Sequence, residues 1–310
     1  MKRILVLGSL NIDLVQRVPR IPAPGETLKG GDLQIFVGGK GANQACAASL
    51  LGGRVQMAGK VGNDVFAARV LRELQAAGVD TELVVPSTLP SGSATIFVLP
   101  SGENMIVISP GANGDVSIEF ALQAIDTLQS GDLLLSQLEI PLESVAAALE
   151  AASKKGVSTI LDPAPAYPLR DELLACVSIL TPNQTEAAVL TNTSEPPSTI
   201  FEAEIATRKL QARGARTVII KLGDQGCLVA DGNATTPISG FKVAANDTTA
   251  AGDTFNGALA GSLSLGGTLV EAANFANAAA ALSVTKAGAI SSIPSRSEVE
   301  NFLALQTANR

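Results

Sequence analysis

The chain has 310 residues, 46% of them hydrophobic, with a mean hydropathy of +0.30, a net charge of −7 and an isoelectric point near 4.8. That is enough apolar chain to bury a large core, and with no Lys/Arg block longer than two residues it excludes a nucleic-acid footprint. Histidine is absent, which excludes Ser-His-Asp and Cys-His catalysis and every imidazole metal site, so any general base must be Asp, Glu, Lys, Tyr or Cys.

The apolar run Ile4–Leu7 is typical of a strand buried on both faces. It is too short for a signal peptide, and no apolar stretch reaches the length of a membrane span. Asn11–Val18 and Thr27–Val37 alternate like half-exposed antiparallel strands around a Pro/Gly-rich turn. Gly38-Gly39-Lys40-Gly41 opens a helix over Ala42–Leu51, followed by a strand at Val55–Val61 and a helix at Asp64–Ala77. Strands at Ala94–Leu99 and Asn104–Ile108 flank Pro100-Ser101-Gly102-Glu103, a hairpin turn. That hairpin can pair with the early excursion to form one small sheet.

From Ile118 the pattern alternates. Helices at Ile118–Leu128, Leu142–Lys155, Asp171–Cys176 and Thr199–Arg213 precede strands at Asp132–Ser136, Ser158–Asp162, Ile179–Thr181 and Thr217–Leu222 respectively. A hairpin at Gly226–Ala230 and Ala234–Ile238, Ala-rich helices at 252–264 and 270–286, and a helix at Ser297–Thr307 complete the chain. This order predicts an α/β fold: one doubly wound domain over 1–310 with a mostly parallel sheet, and a small β-sheet lid inserted at about 11–37 and 94–109. Cys46, Cys176 and Cys227 lie far apart, match no metal spacing and sit among apolar residues. They read as buried or semi-buried thiols of a cytoplasmic protein with no membrane partner.

Two familiar nucleotide motifs fail. The first strand runs into Gly8-Ser9-Leu10-Asn11, not a dinucleotide fingerprint, and Gly38–Asn43 lacks the P-loop spacing. Val243–Leu259 offers another chemistry. Ala250-Ala251-Gly252-Asp253 opens a helix whose free N–H groups and dipole suit an anion, with Gly252 permitting close approach. The same dipole is expected to keep Asp253 ionised, ready to take a proton from an alcohol. Anion cradle and carboxylate together suit phosphoryl transfer to a hydroxyl, but seen alone the segment fits an ordinary capped helix equally well.

Other positions carry similar pairs of readings. Asn11 and Asp13, two apart on a strand, suit vicinal sugar hydroxyls or serve as turn residues. Gly38–Asn43 places glycines, an ammonium and an amide at a helix start, where a ligand is the better reading. Glu139, Asn183 and Glu186 follow strands whose carboxyl ends are where α/β proteins bind ligands. Asn183 and Glu186 can order Mg²⁺ waters and phosphate, although Glu186 also suits a helix N-terminus. Lys221–Gly226 alone reads as a plain strand and glycine turn, and Lys286 as a favourable cation at a helix end.

In this order, the motifs resemble the ribokinase family of sugar kinases over nearly the whole chain. Gly38-Gly39-Lys40-Gly41-Ala42-Asn43-Gln44-Ala45 is similar to the family's N-terminal signature, and Asp247-Thr248-Thr249-Ala250-Ala251-Gly252-Asp253-Thr254-Phe255 to its C-terminal one. Asn11, Asp13 and the Pro24-Gly25-Glu26-Thr27 turn look most like the ribose-phosphorylating members. The resemblance implies ATP-dependent phosphorylation of D-ribose at its 5-hydroxyl, the alternative being another sugar (fructose, deoxyribose or a keto-deoxy sugar) or a nucleoside. It implies Asp253 as the base and Ala250, Ala251 and Gly252 as the anion hole. Asn11, Asp13, Gly39, Lys40, Gly41, Ala42, Asn43 and Glu139 would hold the sugar. Asn183, Lys221, Leu222, Gly223, Asp224, Gln225, Gly226, Gly252 and Asn277 would meet the nucleotide, with Asn277 standing where close relatives often carry His. Glu186 would meet Mg²⁺ through water. An activating K⁺ would sit near Asp247, Thr249, Ser283, Lys286, Gly288 and Ser292, mostly on carbonyls. Exposed lid edges make a homodimer the expected assembly.

Overall fold

A computed structural model of the chain describes residues 1–308. Strand β1 (Arg3–Leu7) is the switch point of a nine-stranded sheet. On one side of it lie β4 (Arg54–Val61) and β5 (Asp80–Pro86). On the other lie β8 (Leu133–Ser136), β9 (Ser158–Leu161), β10 (Ile179–Leu180) and β11 (Thr217–Lys221), all parallel. The hairpin β12 (Gly226–Asp231) and β13 (Ala234–Ser239) closes that edge antiparallel.

Helices cover both faces because successive strand residues point to opposite sides and both sets are apolar. Ile4 and Val6 pack with α1 (Lys40–Leu50), α2 (Val65–Ala76), α8 (Ala251–Ser264) and α9 (Leu269–Ser283). Leu5 and Leu7 pack with α3 (Ile118–Asp126), α4 (Leu142–Lys154), α5 (Asp171–Leu174), α6 (Gln184–Thr191) and α7 (Ile200–Ala212). The last helix, α10, runs Arg296–Ala308. Small residues bring α1 and α8 close: a Cβ on Gly257 would lie 2.5 Å from that of Ala47.

The small sheet has the order β3-β2-β6-β7, from Gln34–Gly38, Asn11–Arg17, Gly92–Val98 and Asn104–Ser109. Each hairpin partner is antiparallel, but the two halves join through a parallel β2–β6 pairing. The buried Asn113 side chain ties the stems of the two insertions together. Its Oδ1 accepts from Leu10 N at 2.8 Å, and its Nδ2 donates to Leu10 O and to Asn11 Oδ1 at 3.2 and 2.7 Å.

Three sequence expectations need revision. The strand expected over Thr27–Val37 shrinks to Gln34–Gly38; upstream the chain is a loop, in which Glu26 accepts from Ala23 N and Arg20. Neither β5 nor α6 was anticipated. The first starts on a charged residue and ends on proline, and the second is only eight residues long.

Candidate active site

The carboxyl ends of β1, β8, β9, β10 and β11 converge on the N-terminus of α8. Ala250 caps this helix in the left-handed region, at φ 57°, and no side chain caps it. A non-glycine residue held there is costly, and such strain gathers at functional sites. Asp253 does not cap its own helix. Its Oδ2 accepts from Asn43 Nδ2 at 3.0 Å and its Oδ1 from Gln44 Nε2 at 2.9 Å. The ordinary capped-helix reading of this segment therefore lacks its defining bond.

Burial pushes the Asp253 carboxyl above its ordinary value. Lys40 opposes that shift, Asp162 reinforces it, and the Asn43 and Gln44 donors oppose it. Desolvation, which the dipole alone leaves out, raises the proton affinity of this carboxylate and makes it a stronger base while ionised. Beside it the Asn43 Oδ1 is buried and has no partner. A buried acceptor left bare costs stability, so it suits a ligand hydroxyl.

The start of α1 is shaped by close backbone packing. Gly39 has φ 88°, and a Cβ on Gly41 would lie 2.6 Å from Ser9 N and O. These two glycines are required by contact with the end of β1, so they need no ligand to account for them. Glu139 locks the junction, its Oε2 accepting Ser9 Oγ at 2.6 Å and Lys40 N at 3.1 Å. The Lys40 side chain is desolvated, yet Asp253, Asp162, Glu139 and Glu186 together hold its pKa above the ordinary value. Asp13 lies against Gly38, and burial, with Glu139 and Asp253 nearby, raises its carboxyl from 3.8 to about 6. Asn11 Oδ1 accepts from Asn113 Nδ2, and Ala42 packs into the core.

Two cavities meet at Gly252. The polar one, about 410 Å³, contains Lys40, Asp162, Asn183, Glu186, Ala250 and Asp253. The other, about 490 Å³, is walled by Phe241, Val243, Phe255, Ala280, Ala281 and Val284, with Gly223, Asp224, Gly226 and Asn277 also lining it. Lys221, Gly223, Thr248, Ala251 and Gly252 line both. Leu222 and Gln225, expected at the nucleotide, line neither: Leu222 is in the core, and Gln225 donates to Ser198 O. Asn277 lines its cavity but spends its Nδ2 on Ser239 O at 2.9 Å.

Asn183 and Glu186 form a reciprocal capping box on α6, with bonds of 2.7 and 2.8 Å. Burial raises the Glu186 carboxyl, against the pull of Lys221. Among the described residues no cluster of three His, Cys, Asp or Glu could hold a metal ion, so a divalent ion here must arrive with its own phosphate and water ligands.

Asp247, Thr249 and Gly288 do come together. Asp247 Oδ1 accepts Thr249 N and Oγ1 at 2.9 and 2.6 Å, and Oδ2 accepts Gly288 N at 2.9 Å. The Ser283 and Ser292 hydroxyls bond within their own turns, and Lys286 pairs with Glu298 at 3.0 Å.

Sequence reasoning missed Asp162, Gln44 and Gln137, and most of the apolar cavity wall. Asp162 follows a strand end just as Glu139 does, so the same rule could have found it.

A family model for pfkB family carbohydrate kinases matches residues 1–296. The chain is 43% identical over 305 residues to the ribokinase of Haemophilus influenzae, covering 97% of this chain and 98% of that one. It is similar to the crystal structure of the ribokinase of Thermotoga maritima, with a TM-score of 0.88 at 40% identity over 98% and 100% of the two chains. It is also similar to Arabidopsis thaliana ribokinase complexed with ribose and ATP, with a TM-score of 0.87 at 33% identity over 97% and 98%.

Proposed function

Because the chain belongs to the pfkB family of carbohydrate kinases, we propose that it transfers the γ-phosphoryl group of ATP to the 5-hydroxyl of D-ribose, giving ribose 5-phosphate and ADP. The observation that carries this reading is Asp253: a buried carboxylate beside an uncapped helix start, between a polar cavity and the bare Asn43 carbonyl.

Asp253 accepts the proton of the sugar hydroxyl. Phosphoryl transfer passes through a loose transition state, so the base need only receive the proton late while other groups position and neutralise. The backbone N–H groups at Ala250, Ala251 and Gly252 receive charge on the moving phosphoryl group. Lys40 lies at the same cavity as a second positive group. Asn11, Asp13 and Asn43 hold the sugar hydroxyls, and the apolar cavity takes the base of the nucleotide. A divalent ion such as Mg²⁺, arriving with the nucleotide, would supply charge neutralisation at the phosphate oxygens, and Asn183 and Glu186 would hold its waters once their mutual capping bonds open.

A monovalent cation, K⁺, would sit beside Asp247, whose carboxylate joins the loops of Thr249 and Gly288 and brings the negative charge there. A homodimer through the lid suits β7, whose six residues are all exposed and include Met105, Ile106, Val107 and Ile108. The three cysteines are free, as suits the cytoplasm.

A coupled ADP-release assay with ribose, deoxyribose, fructose and nucleosides tests the reading. Ribose is expected to give the highest kcat/KM; a hexose or nucleoside preferred by about tenfold, one decade of discrimination, overturns it.

A further inference from the structure

Gln44 has no role in the account above, yet it is fully buried and its single amide nitrogen donates to two carboxylates. It reaches Asp162 Oδ2 and Asp253 Oδ1, each at 2.9 Å. Its Oε1 accepts from Gln137 Nε2 at 2.7 Å. The other oxygen of Asp162 accepts from Lys221 Nζ at 2.9 Å, and Lys221 lines both cavities. A continuous chain thus runs from the nucleotide side to the base: Lys221, Asp162, Gln44, Asp253.

An NH₂ group has two protons, and here each goes to a different anion. That is possible only with the amide oxygen turned away. A flipped Gln44 would set Oε1 against two carboxylates and its NH₂ against the Gln137 donor. Gln137 therefore fixes the orientation. Its own Oε1 lies over the Gly8 α-carbon, where a Cβ would come within 2.1 Å. Any side chain at Gly8 would push the Gln137 amide off Gln44.

The geometry points to Gln44 as the positioning residue that keeps Asp253 apart from Asp162 and fixes which face of its carboxylate meets the sugar, with Gln137 locking the Gln44 amide. This rests on Asp253 being the proton acceptor. Two like charges sharing a site raise one another's proton affinity, and a donor between them relieves that. The Asp162 charge raises the proton affinity of Asp253 and the Gln44 hydrogen bond lowers it.

The test compares wild type with Gln44→Leu, which keeps the approximate volume and removes both donors. Carbon-13 NMR follows the Asp253 carboxyl through a pH titration, assigned by its loss in Asp253→Asn. In Gln44→Leu the titration should move up by about one unit or more. Near neutral pH kcat should fall by up to about tenfold for each pH unit the titration moves, because only the ionised carboxylate accepts the proton. Raising the pH should recover much of that loss, and the sugar KM should stay within about threefold of wild type, since uniform binding is untouched. A merely structural glutamine gives no recovery with pH.

An Asp253 titration unchanged from wild type, or a loss of kcat independent of pH, overturns the proposal. If Gln44→Leu does not fold by thermal melting, Gln137→Leu takes its place. It leaves both donors but removes the bond that holds the Gln44 amide oxygen, so a smaller upward movement is expected and none overturns the idea. The NMR readout needs no turnover. A wild type inactive on ribose would therefore overturn the kinase reading while the amide bridge is still decided by its own measurement.

Discussion

The nucleotide side of Asp253 is a walled cavity inside the nine-stranded unit, whereas its sugar side is completed by a four-stranded sheet whose outer strand, β7, is exposed along its length. The first is built on helix ends and strand ends backed by continuous apolar core on both faces. The second hangs on two stems and rests on α2. On the proposed function, the core-backed part carries the chemistry and the small sheet completes the sugar side, where covering the sugar would keep water from the phosphoryl group.

The largest effect should break the chemistry without touching the lid. Asp253→Asn keeps the size and only one of the two accepted bonds, and it cannot accept the proton. It is expected to lower kcat by about a thousandfold or more while still folding cooperatively, and near-normal turnover would remove Asp253 from the mechanism.

Asp13 sits on the sugar side, and its substitution should separate affinity from stability. Its carboxyl titrates near 6 in the folded protein against 3.8 ordinarily. The native state therefore binds that proton more tightly than the unfolded chain. The resulting stabilisation is full below 3.8 and is lost as the pH rises through about 6. Asp13→Asn should consequently melt at a higher temperature than wild type at pH 8, while raising the sugar KM about tenfold for one lost charged hydrogen bond. Equal melting temperatures at pH 8 would refute the burial argument. In wild type, kcat/KM for the sugar should fall as the pH drops below about 6, because Asp13 takes up a proton there.

Substitutions on the lid edge should act on assembly. Ile106→Lys with Ile108→Lys, two residues apart on β7, is expected to yield a monomer by light scattering and raise the sugar KM severalfold without lowering the kcat of the closed complex. A dimer that persists would place the interface elsewhere. Smaller still is the cation effect: replacing K⁺ by Na⁺ at constant ionic strength should reduce activity, and no change would argue against a cation near Asp247. Lys286→Ala should be nearly silent in turnover, since its ammonium is spent on Glu298 at the surface.

Legibility followed the same division. The parallel sheet announced itself through alternating apolar runs and capped helices, and the strand-end rule located Glu139, Asn183 and Glu186. The lid was read with one strand too long, because prolines and glycines between residues 19 and 33 support a loop as readily as an exposed strand. Helix α6 was hidden by its length, although Asn183 and Glu186 spelled its capping box. The proton affinity of Asp253 is higher than the helix dipole alone gives, because burial raises it. Gln44 could not be weighed at all: its partners Asp162 and Asp253 lie 118 and 209 residues away, and an amide in a helix advertises nothing until the carboxylates on either side of it are in place.

Asn113 has a mechanical consequence. The two lid segments leave the large sheet after Leu7 and after Pro86, and the β2–β6 pairing already joins them further out. One amide adds a second tie at the stems, gripping both the main chain of Leu10 and the side chain of Asn11. With a seam along the strands and a rivet at their base, the small sheet is held as one plate.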